Sequence, residues 1–367
     1  MHHQAPASSS HERNYGIDLL RLVAAFYVVL LHTMSLGGLQ DAAAPGSYQE
    51  QVCNILVILT YCAVNIFGII SGYVGYRDPS KKHTYYSYFP LWLTVVCYSI
   101  LFVVFYQLLL PSSVGIKDLL MCFFPVTCNL YWYFSAFTLV YFLAPYLNKI
   151  LQYSTDQELK QLLALICCFF VTVEYMGTSF AMARGYSAIW LLLLYLVGGI
   201  LKKTGVGSRI PAYALCLGII LFDLGFFLIS SKTTSVVLLV FELSMKVRNA
   251  YTSPIYLISA ILHVLLFARF RFSGFWKKVL RFASPAAFSV YILNTNKLLW
   301  NNTLQDRFAP WAVSSPAGIL ARTVLFALTF VTAVIVIDFF RQKVFQLLGV
   351  QNWPKRLSCI LQKKKVP

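Results

Sequence analysis

Apolar residues dominate the chain in long runs, and short polar segments separate these runs. Two of the runs, 52–76 and 85–110, contain no Asp, Glu, Lys or Arg. A helix needs about 20 mostly apolar residues to cross the hydrocarbon core of a bilayer. The pattern therefore predicts an all-α polytopic membrane protein with about ten transmembrane helices, at 17–38, 52–76, 85–110, 130–150, 159–177, 186–202, 211–230, 250–268, 282–300 and 317–340.

Composition and charge support this class and orient the chain. The protein has 367 residues, of which 59% are hydrophobic and 12% are charged, whereas soluble domains average about 25% charged residues. The net charge is +17, and the loops on the side of both termini carry 21 Lys and Arg residues against 7 on the other side. This bias predicts that both termini are cytoplasmic. The basic charge thus indicates a lipid bilayer as partner and argues against nucleic acid.

The chain divides into three predicted segments: a disordered polar tail at 1–12, a membrane domain at 13–345 and a basic cytoplasmic tail at 346–367. The nine Cys residues lie mostly inside apolar runs and form no CxxC pair. We therefore expect neither a metal site nor a disulfide framework. The chain also lacks a glycine-rich phosphate-binding motif, which argues against an ATP-driven pump.

Three ionisable residues lie in the first apolar run: Asp18, Arg21 and His32. Charged side chains inside a membrane are costly and often functional. Asp18 and Arg21 are three residues apart, a spacing that favours an ion pair on a helix. Arg21 and His32 are eleven residues apart, which is almost three helical turns, so they share one face about 16 Å apart. This polar stripe predicts a cavity or the bundle interior along that face, with His32 as a side chain able to exchange protons near neutral pH.

The same run resembles the opening of the acyltransferase-3 family of integral membrane O-acyltransferases, which includes O-antigen and exopolysaccharide acetylases. The residues that carry the resemblance are 13–32, RNYGIDLLRLVAAFYVVLLH, in which Arg21 and His32 match the family's Arg-x10-His pattern. Two shorter segments are also similar: FGIISGY at 67–73 and YWYFSAF at 131–137. The similarity extends over about 13–345 in ten-span order.

The resemblance implies transfer of an acyl group, taken as acetyl, from coenzyme A to a hydroxyl of a cell-envelope carbohydrate or lipid-linked glycan. Acetyl-CoA would be the acyl donor and a cosubstrate, and the bacterial cytoplasmic membrane the location. His32 would be the general base, or would carry the acyl group as a transient acyl-imidazole. Arg21 would bind the phosphate-bearing part of the donor, with Asp18 holding Arg21 in place. Oligomeric state stays open.

The resemblance also suggests residues that contact the two substrates. Many family members carry Arg-x-x-Arg before the third span, where this chain has Thr84 and Ser87. The nearby cations are Lys81 and Lys82, which we expect to bind the donor instead. Many members also read Tyr-x-x-His in the ninth span, where this chain has Asn294, a side chain that cannot transfer a proton. The predicted acceptor-binding residues are Ser71, Tyr131, Trp132 and Asn294.

Two other functions compete with the enzyme. A carrier or flippase for lipid-linked or amphipathic sugars would use the same polar stripe as a substrate path. A membrane sensor with a degenerate, inactive site would be consistent with Asn294 and with the missing Arg-x-x-Arg. At the level of single residues, His32 could be a buried histidine bonded to a neighbour, and Arg21 could serve only Asp18 and membrane orientation.

Overall fold

A computed structural model describes residues 13–76, 85–170, 182–231 and 250–353, and within these ranges the chain is helical and contains no strand. The helices of eight residues or more are α1 (Tyr15–Met34), α2 (Tyr48–Tyr61), α3 (Ala63–Gly75), α4 (Tyr88–Leu109), α5 (Trp132–Tyr153), α6 (Asp156–Leu165), α7 (Ala188–Thr204), α8 (Ala212–Ser231), α9 (Pro254–Phe267), α10 (Gly274–Ala283), α11 (Ala287–Asn294) and α12 (Pro316–Leu347). Shorter helices are Leu39–Ala42, Ile116–Cys122 and Lys297–Leu299.

Five stretches of the described chain are long and apolar enough to cross a membrane: Tyr15–Met34, Tyr48–Gly75, Tyr85–Leu109, Trp132–Tyr153 and Pro316–Leu347. They coincide with five of the runs that the sequence predicts as spans. Two shorter apolar helices, Ala212–Leu228 and Pro254–Phe267, match two more. The all-α membrane class is therefore confirmed, while ten crossings and cytoplasmic termini stay predictions.

The predicted ninth span, 282–300, is interrupted rather than one continuous helix. A single 3₁₀ turn at Ser284–Ala286 precedes α11, and α11 ends at Asn294 after eight residues. Pro285 lies in the first break, where its ring nitrogen offers no N–H to an α-helical ladder. After the second break, the Asn296 side chain caps a new turn by accepting from the backbone N–H of Leu298 at 2.9 Å. The interruption places the end of α11 inside the bundle.

Helices α3 and α7 pack with their backbones in contact. A Cβ atom on Gly72 would lie 1.8 Å from the carbonyl oxygen of Tyr195, and one on Gly198 would lie 1.9 Å from that of Ile69. Only glycine permits this approach, which is the usual role of small residues between membrane helices. The Ser71-Gly72 pair is thus part of a close helix crossing.

We name the two ends of the bundle after the residues near the two ends of α1. The Arg21 end is where α1 begins, and α10 packs against it there, with Lys277 Nζ 5.4 Å from the centre of the Tyr15 ring. At the His32 end, α1 stops, and the following loop pairs with the chain after α11, where the Phe308 N–H donates to the Gly37 carbonyl at 3.0 Å. α1 itself is central, since it contacts α2, α3, α9, α11 and α12.

Candidate active site

Helix α1 carries the polar stripe and begins at a side-chain cap. The Asn14 side-chain oxygen accepts from the backbone N–H groups of Gly16 at 3.0 Å and Ile17 at 3.2 Å. Such a cap satisfies donors that the first helical turn leaves free. The helix then continues to Met34 without an internal proline, and apart from Asp18, Arg21 and His32 most of its residues are apolar. It therefore stays regular between Arg21 and His32. The spacing along one face that the sequence predicts is therefore kept.

The Arg21 end of the stripe is a three-residue ion cluster. Asp18 is 1% exposed and accepts from Arg21 Nη1 at 2.8 Å and from Arg13 Nε at 2.5 Å. The predicted Asp18–Arg21 ion pair is confirmed. Arg13 also donates to Ser284 Oγ at 2.9 Å, which ties α1 to the turn before α11. Arg13 carries no motif signal, so its part in the ion cluster is not predicted by the sequence.

Arg21 keeps part of its hydrogen-bonding capacity free. Its side chain is 32% exposed, and among the described residues Asp18 is its one hydrogen-bond partner. A guanidinium has five N–H donors. The remaining donors are therefore available to an anionic ligand.

At the other end of the stripe, His32 contacts Asn294. The Nδ1 atom of His32 lies 2.6 Å from the Oδ1 atom of Asn294. With an amide oxygen as acceptor, Nδ1 carries the proton, so Nε2 is left as the basic nitrogen. The ring of Trp300 stands perpendicular to the imidazole at 5.9 Å, and its indole N–H donates to the Asn294 carbonyl. The imidazole is thus held in one orientation.

One cavity of about 340 Å³ joins the two ends of the stripe, because both Arg21 and His32 line it. Its volume falls near the lower end of the range of about 300–1,000 Å³ for small-molecule sites. Its other lining residues with a polar side-chain atom are Ser71, Trp132, Tyr133, Tyr251, Ser284, Tyr291 and Thr295. Its apolar walls are formed by Val28, Leu31, Ala63, Val64, Phe67, Leu91, Phe137, Pro285, Ala287 and Phe288.

The predicted acceptor-binding residues divide into two groups. Ser71 and Trp132 line the cavity. Tyr131 does not line it: the side chain is 3% exposed, and its hydroxyl accepts from Asn296 at 2.8 Å and lies 3.1 Å from Ser99 Oγ. Asn294 is fully buried, and its side chain contacts His32. The structure therefore gives Tyr131 and Asn294 internal partners, and their contact with the acceptor stays a prediction.

The predicted donor-binding residues Lys81 and Lys82 lie outside the described residues, as does Thr84. Cations that the described structure places near the Arg21 end of α1 include Arg21, Arg13, Lys277 and Arg281, of which Arg21 lines the cavity. No group of three or more His, Cys, Asp or Glu side chains within the described ranges could hold a metal ion.

A second buried carboxylate positions the helix that carries Asn294. Asp338 of α12 is fully buried and accepts from Arg341 Nε at 2.7 Å, an ion pair between residues three apart on one helix. It also accepts from Ser289 of α11 at 2.6 Å and from Tyr98 of α4 at 2.7 Å. These bonds connect three helices. Asp338 therefore acts on the site indirectly, by holding α11 in place.

Comparison with known proteins gives one match. The acyltransferase-3 family model, described as an acyltransferase domain, matches residues 14–339. No curated protein and no solved structure matches the chain significantly. The matched range includes the whole polar stripe, the cavity and Asp338.

Proposed function

The chain belongs to the acyltransferase-3 family of integral membrane acyltransferases, and from that premise we propose that it transfers an acetyl group from acetyl-CoA to a hydroxyl of a carbohydrate. The acceptor would be a cell-envelope carbohydrate or a lipid-linked glycan, in the bacterial cytoplasmic membrane. The observation that carries the proposal is that one cavity is lined by both Arg21 and His32. A cation able to bind an anion and a candidate base thus border the same space.

In this proposal His32 is the general base. Its Nε2 accepts the proton of the acceptor hydroxyl as the oxygen attacks the thioester carbonyl, and a new C–O bond forms. The C–S bond then breaks, and the imidazolium returns its proton to the departing thiolate. Asn294 is a positioning residue, since its bond to Nδ1 keeps Nε2 unprotonated and correctly oriented. A transient acyl-imidazole would use the same nitrogen as nucleophile.

The distance between Arg21 and His32 suits a donor with a long arm. Eleven residues at 1.5 Å per residue separate them by about 16 Å along α1. A coenzyme A thioester carries its phosphates at one end and its reactive sulfur at the end of a flexible chain. The phosphates would bind Arg21 near the cavity mouth, while the arm follows the apolar walls to His32. Lys81 and Lys82 stay proposed as further phosphate contacts.

Release of free thiol tests the proposed function directly. Purified protein in detergent is given acetyl-CoA together with a set of methyl glycosides, and free coenzyme A is measured with a thiol reagent. We expect thiol release that requires the protein and that increases with the concentration of the glycoside. A carrier, or a membrane sensor with an inactive site, releases no thiol. Absence of thiol release from folded protein under all these conditions contradicts the proposal.

We expect Arg21→Lys to raise the KM for acetyl-CoA by roughly 10- to 150-fold with a smaller effect on kcat. The physical reason is the loss of a charge-assisted hydrogen bond, which contributes about 1.5–3 kcal/mol, because an ammonium cannot reproduce the fork of a guanidinium. The measurement is donor titration at saturating acceptor, with folded protein quantified.

Arg13→Lys is the matched control for this prediction. Arg13 binds the same carboxylate, Asp18, but does not line the cavity. A change at Arg13 therefore perturbs the ion cluster without removing the proposed phosphate contact, and we expect a donor KM near the wild-type value. If Arg21→Lys changes only the amount of folded protein, Arg21 does not bind the donor.

A further inference from the structure

A group of closely packed, mutually tilted aromatic rings borders the cavity. It lies at the His32 end, since the hydroxyl of Tyr131, the neighbour of Trp132, accepts from Asn296, two residues beyond the His32 partner Asn294. We call Trp132, Tyr186 and Tyr251 the aromatic platform. The ring centres of Trp132 and Tyr186 are 4.7 Å apart, those of Tyr186 and Tyr251 are 4.8 Å apart, and those of Trp132 and Tyr251 are 6.0 Å apart. Trp132 and Tyr251 line the cavity, while Tyr186 is 46% exposed. The platform therefore extends from the cavity wall to the outside.

The turn before Tyr186 is held in a strained conformation. Three successive residues have positive φ: Ala183 at 47°, Arg184 at 55° and Gly185 at 91°. The first two are not glycine, so each costs free energy that the surrounding structure must offset. The turn is anchored to the platform itself, since the Tyr251 N–H donates to the Arg184 carbonyl at 2.9 Å. Strain of this kind concentrates at functional sites, and here its result is the placement of Tyr186.

The platform combines flat apolar faces with polar edges. The Tyr186 hydroxyl donates to the Tyr251 hydroxyl at 3.4 Å, so phenol oxygens lie together beside the ring faces. A pyranose has the complementary chemistry, because its C–H groups form apolar faces and its hydroxyls form a polar rim. Tyrosine and tryptophan suit such ligands, since each presents an apolar body with one polar group.

The size of the cavity indicates where the sugar lies. At about 340 Å³ the cavity is small for a binding site, and the arm of the donor would already occupy it. An acceptor sugar must then bind at the rim and extend one hydroxyl inward. The platform carries exposed aromatic surface at Tyr186, and that surface is continuous with the cavity wall formed by Trp132 and Tyr251.

We propose that the aromatic platform is the acceptor subsite and that it binds a pyranose ring in the angle between the tilted rings of Tyr186 and Trp132. The bound sugar directs a hydroxyl into the cavity toward His32. The role of the bound sugar as acyl acceptor rests on the proposed function, whereas sugar binding by the platform does not. It differs from the sequence prediction, which placed Tyr131 beside Trp132 in this role. Tyr186 and Tyr251 take its place.

Saturation-transfer NMR tests binding without any acyl transfer. The probes are the methyl glycosides of glucose, galactose, mannose, rhamnose and N-acetylglucosamine, each added to the full-length protein in detergent. We expect at least one glycoside to receive saturation at its ring C–H protons. Sorbitol, an acyclic polyol without a flat apolar face, is the negative probe. If no glycoside receives saturation from the wild-type protein, the platform does not bind pyranoses.

Variants locate the binding. Tyr186→Ala should raise the dissociation constant of the glycoside by roughly 2- to 12-fold, the range expected for loss of one aromatic contact. Tyr186→Phe keeps the ring and should bind within about twofold of wild type. Tyr48→Ala is the matched control, because Tyr48 begins α2 at the same end of the bundle, is 75% exposed and does not line the cavity. If Tyr186→Ala and Tyr48→Ala weaken glycoside binding equally, the effect is a general property of aromatic residues at the membrane interface. That result would overturn the assignment.

The two proposals fail separately. Wild-type protein that binds a glycoside through Tyr186 but releases no thiol from acetyl-CoA contradicts the proposed function and leaves the platform as a sugar site. Protein that releases thiol, but whose glycoside affinity is unchanged by Tyr186→Ala, contradicts the platform alone. If Tyr186→Ala does not fold, Trp132→Leu removes the other ring of the platform. An unchanged glycoside affinity of that variant would likewise contradict the platform.

Discussion

His32→Ala is expected to lower acyl transfer by about 10²- to 10⁴-fold while the protein still folds. This range is the usual contribution of a general base, and alanine cannot accept the hydroxyl proton. The structure adds that the lost imidazole makes one side-chain hydrogen bond, to Asn294, so the expected cost to folding is that of one buried unsatisfied group, about 1–3 kcal/mol. The measurement is thiol release from acetyl-CoA per amount of folded protein, with thermal unfolding followed in parallel.

His263→Ala is the matched control for this result. His263 is a buried histidine on an apolar helix, with Nδ1 2.8 Å from the Ser259 carbonyl oxygen. It does not line the cavity. We expect this variant to transfer acetyl at a rate within a few-fold of wild type once folded protein is counted. If His32→Ala retains activity within about threefold, or if both variants lose it equally, His32 is not the base.

The second large effect is expected on stability, from Asp338→Ala. Removing one partner of a buried ion pair costs about 3–5 kcal/mol, because the remaining charge is buried without compensation. Here Arg341 would lose its carboxylate, and the hydroxyls of Tyr98 and Ser289 would lose their acceptor. We expect a lower unfolding temperature, a smaller yield of folded protein and reduced transfer, since α11 would no longer hold Asn294 against His32.

Asp156→Ala controls for the loss of a carboxylate as such. Asp156 is an exposed residue in the first turn of α6, where a negative charge contributes about 0.3–1 kcal/mol through the helix dipole. The unfolding temperature of the Asp156→Ala variant should therefore stay close to that of the wild type. An Asp338→Ala variant that unfolds at the wild-type temperature would show that the bonds around Asp338 do not hold the three helices together.

The short-range parts of the site could be predicted from the sequence. The ion pairs Asp18–Arg21 and Asp338–Arg341 follow from residues three apart on a helix. The common face of Arg21 and His32 follows from the helical repeat, and both line one cavity. These relations depend on a single regular helix, so composition and spacing suffice to derive them.

The neighbours Tyr131 and Trp132 show where spacing along the chain stops being informative. Both are aromatic residues at the start of α5, and both were predicted to contact the acceptor. Tyr131 precedes α5 with an extended backbone, whereas Trp132 is the first residue of the helix, so the two side chains leave the chain in different directions. Trp132 lines it, and Tyr131 is buried against Asn296. The sequence contains no information on which direction the cavity lies.

By itself, the sequence determined the membrane class, the runs of its helices and the polar stripe on α1, because hydrophobic periodicity and helix geometry act locally. Only the tertiary structure decided which distant residues complete the site. Asn294 meets His32 across 262 residues of chain, and Ser284 meets Arg13 across 271. Such contacts depend on how helices cross and where one is interrupted. Those features arise from packing of many side chains at once, and no local pattern specifies them.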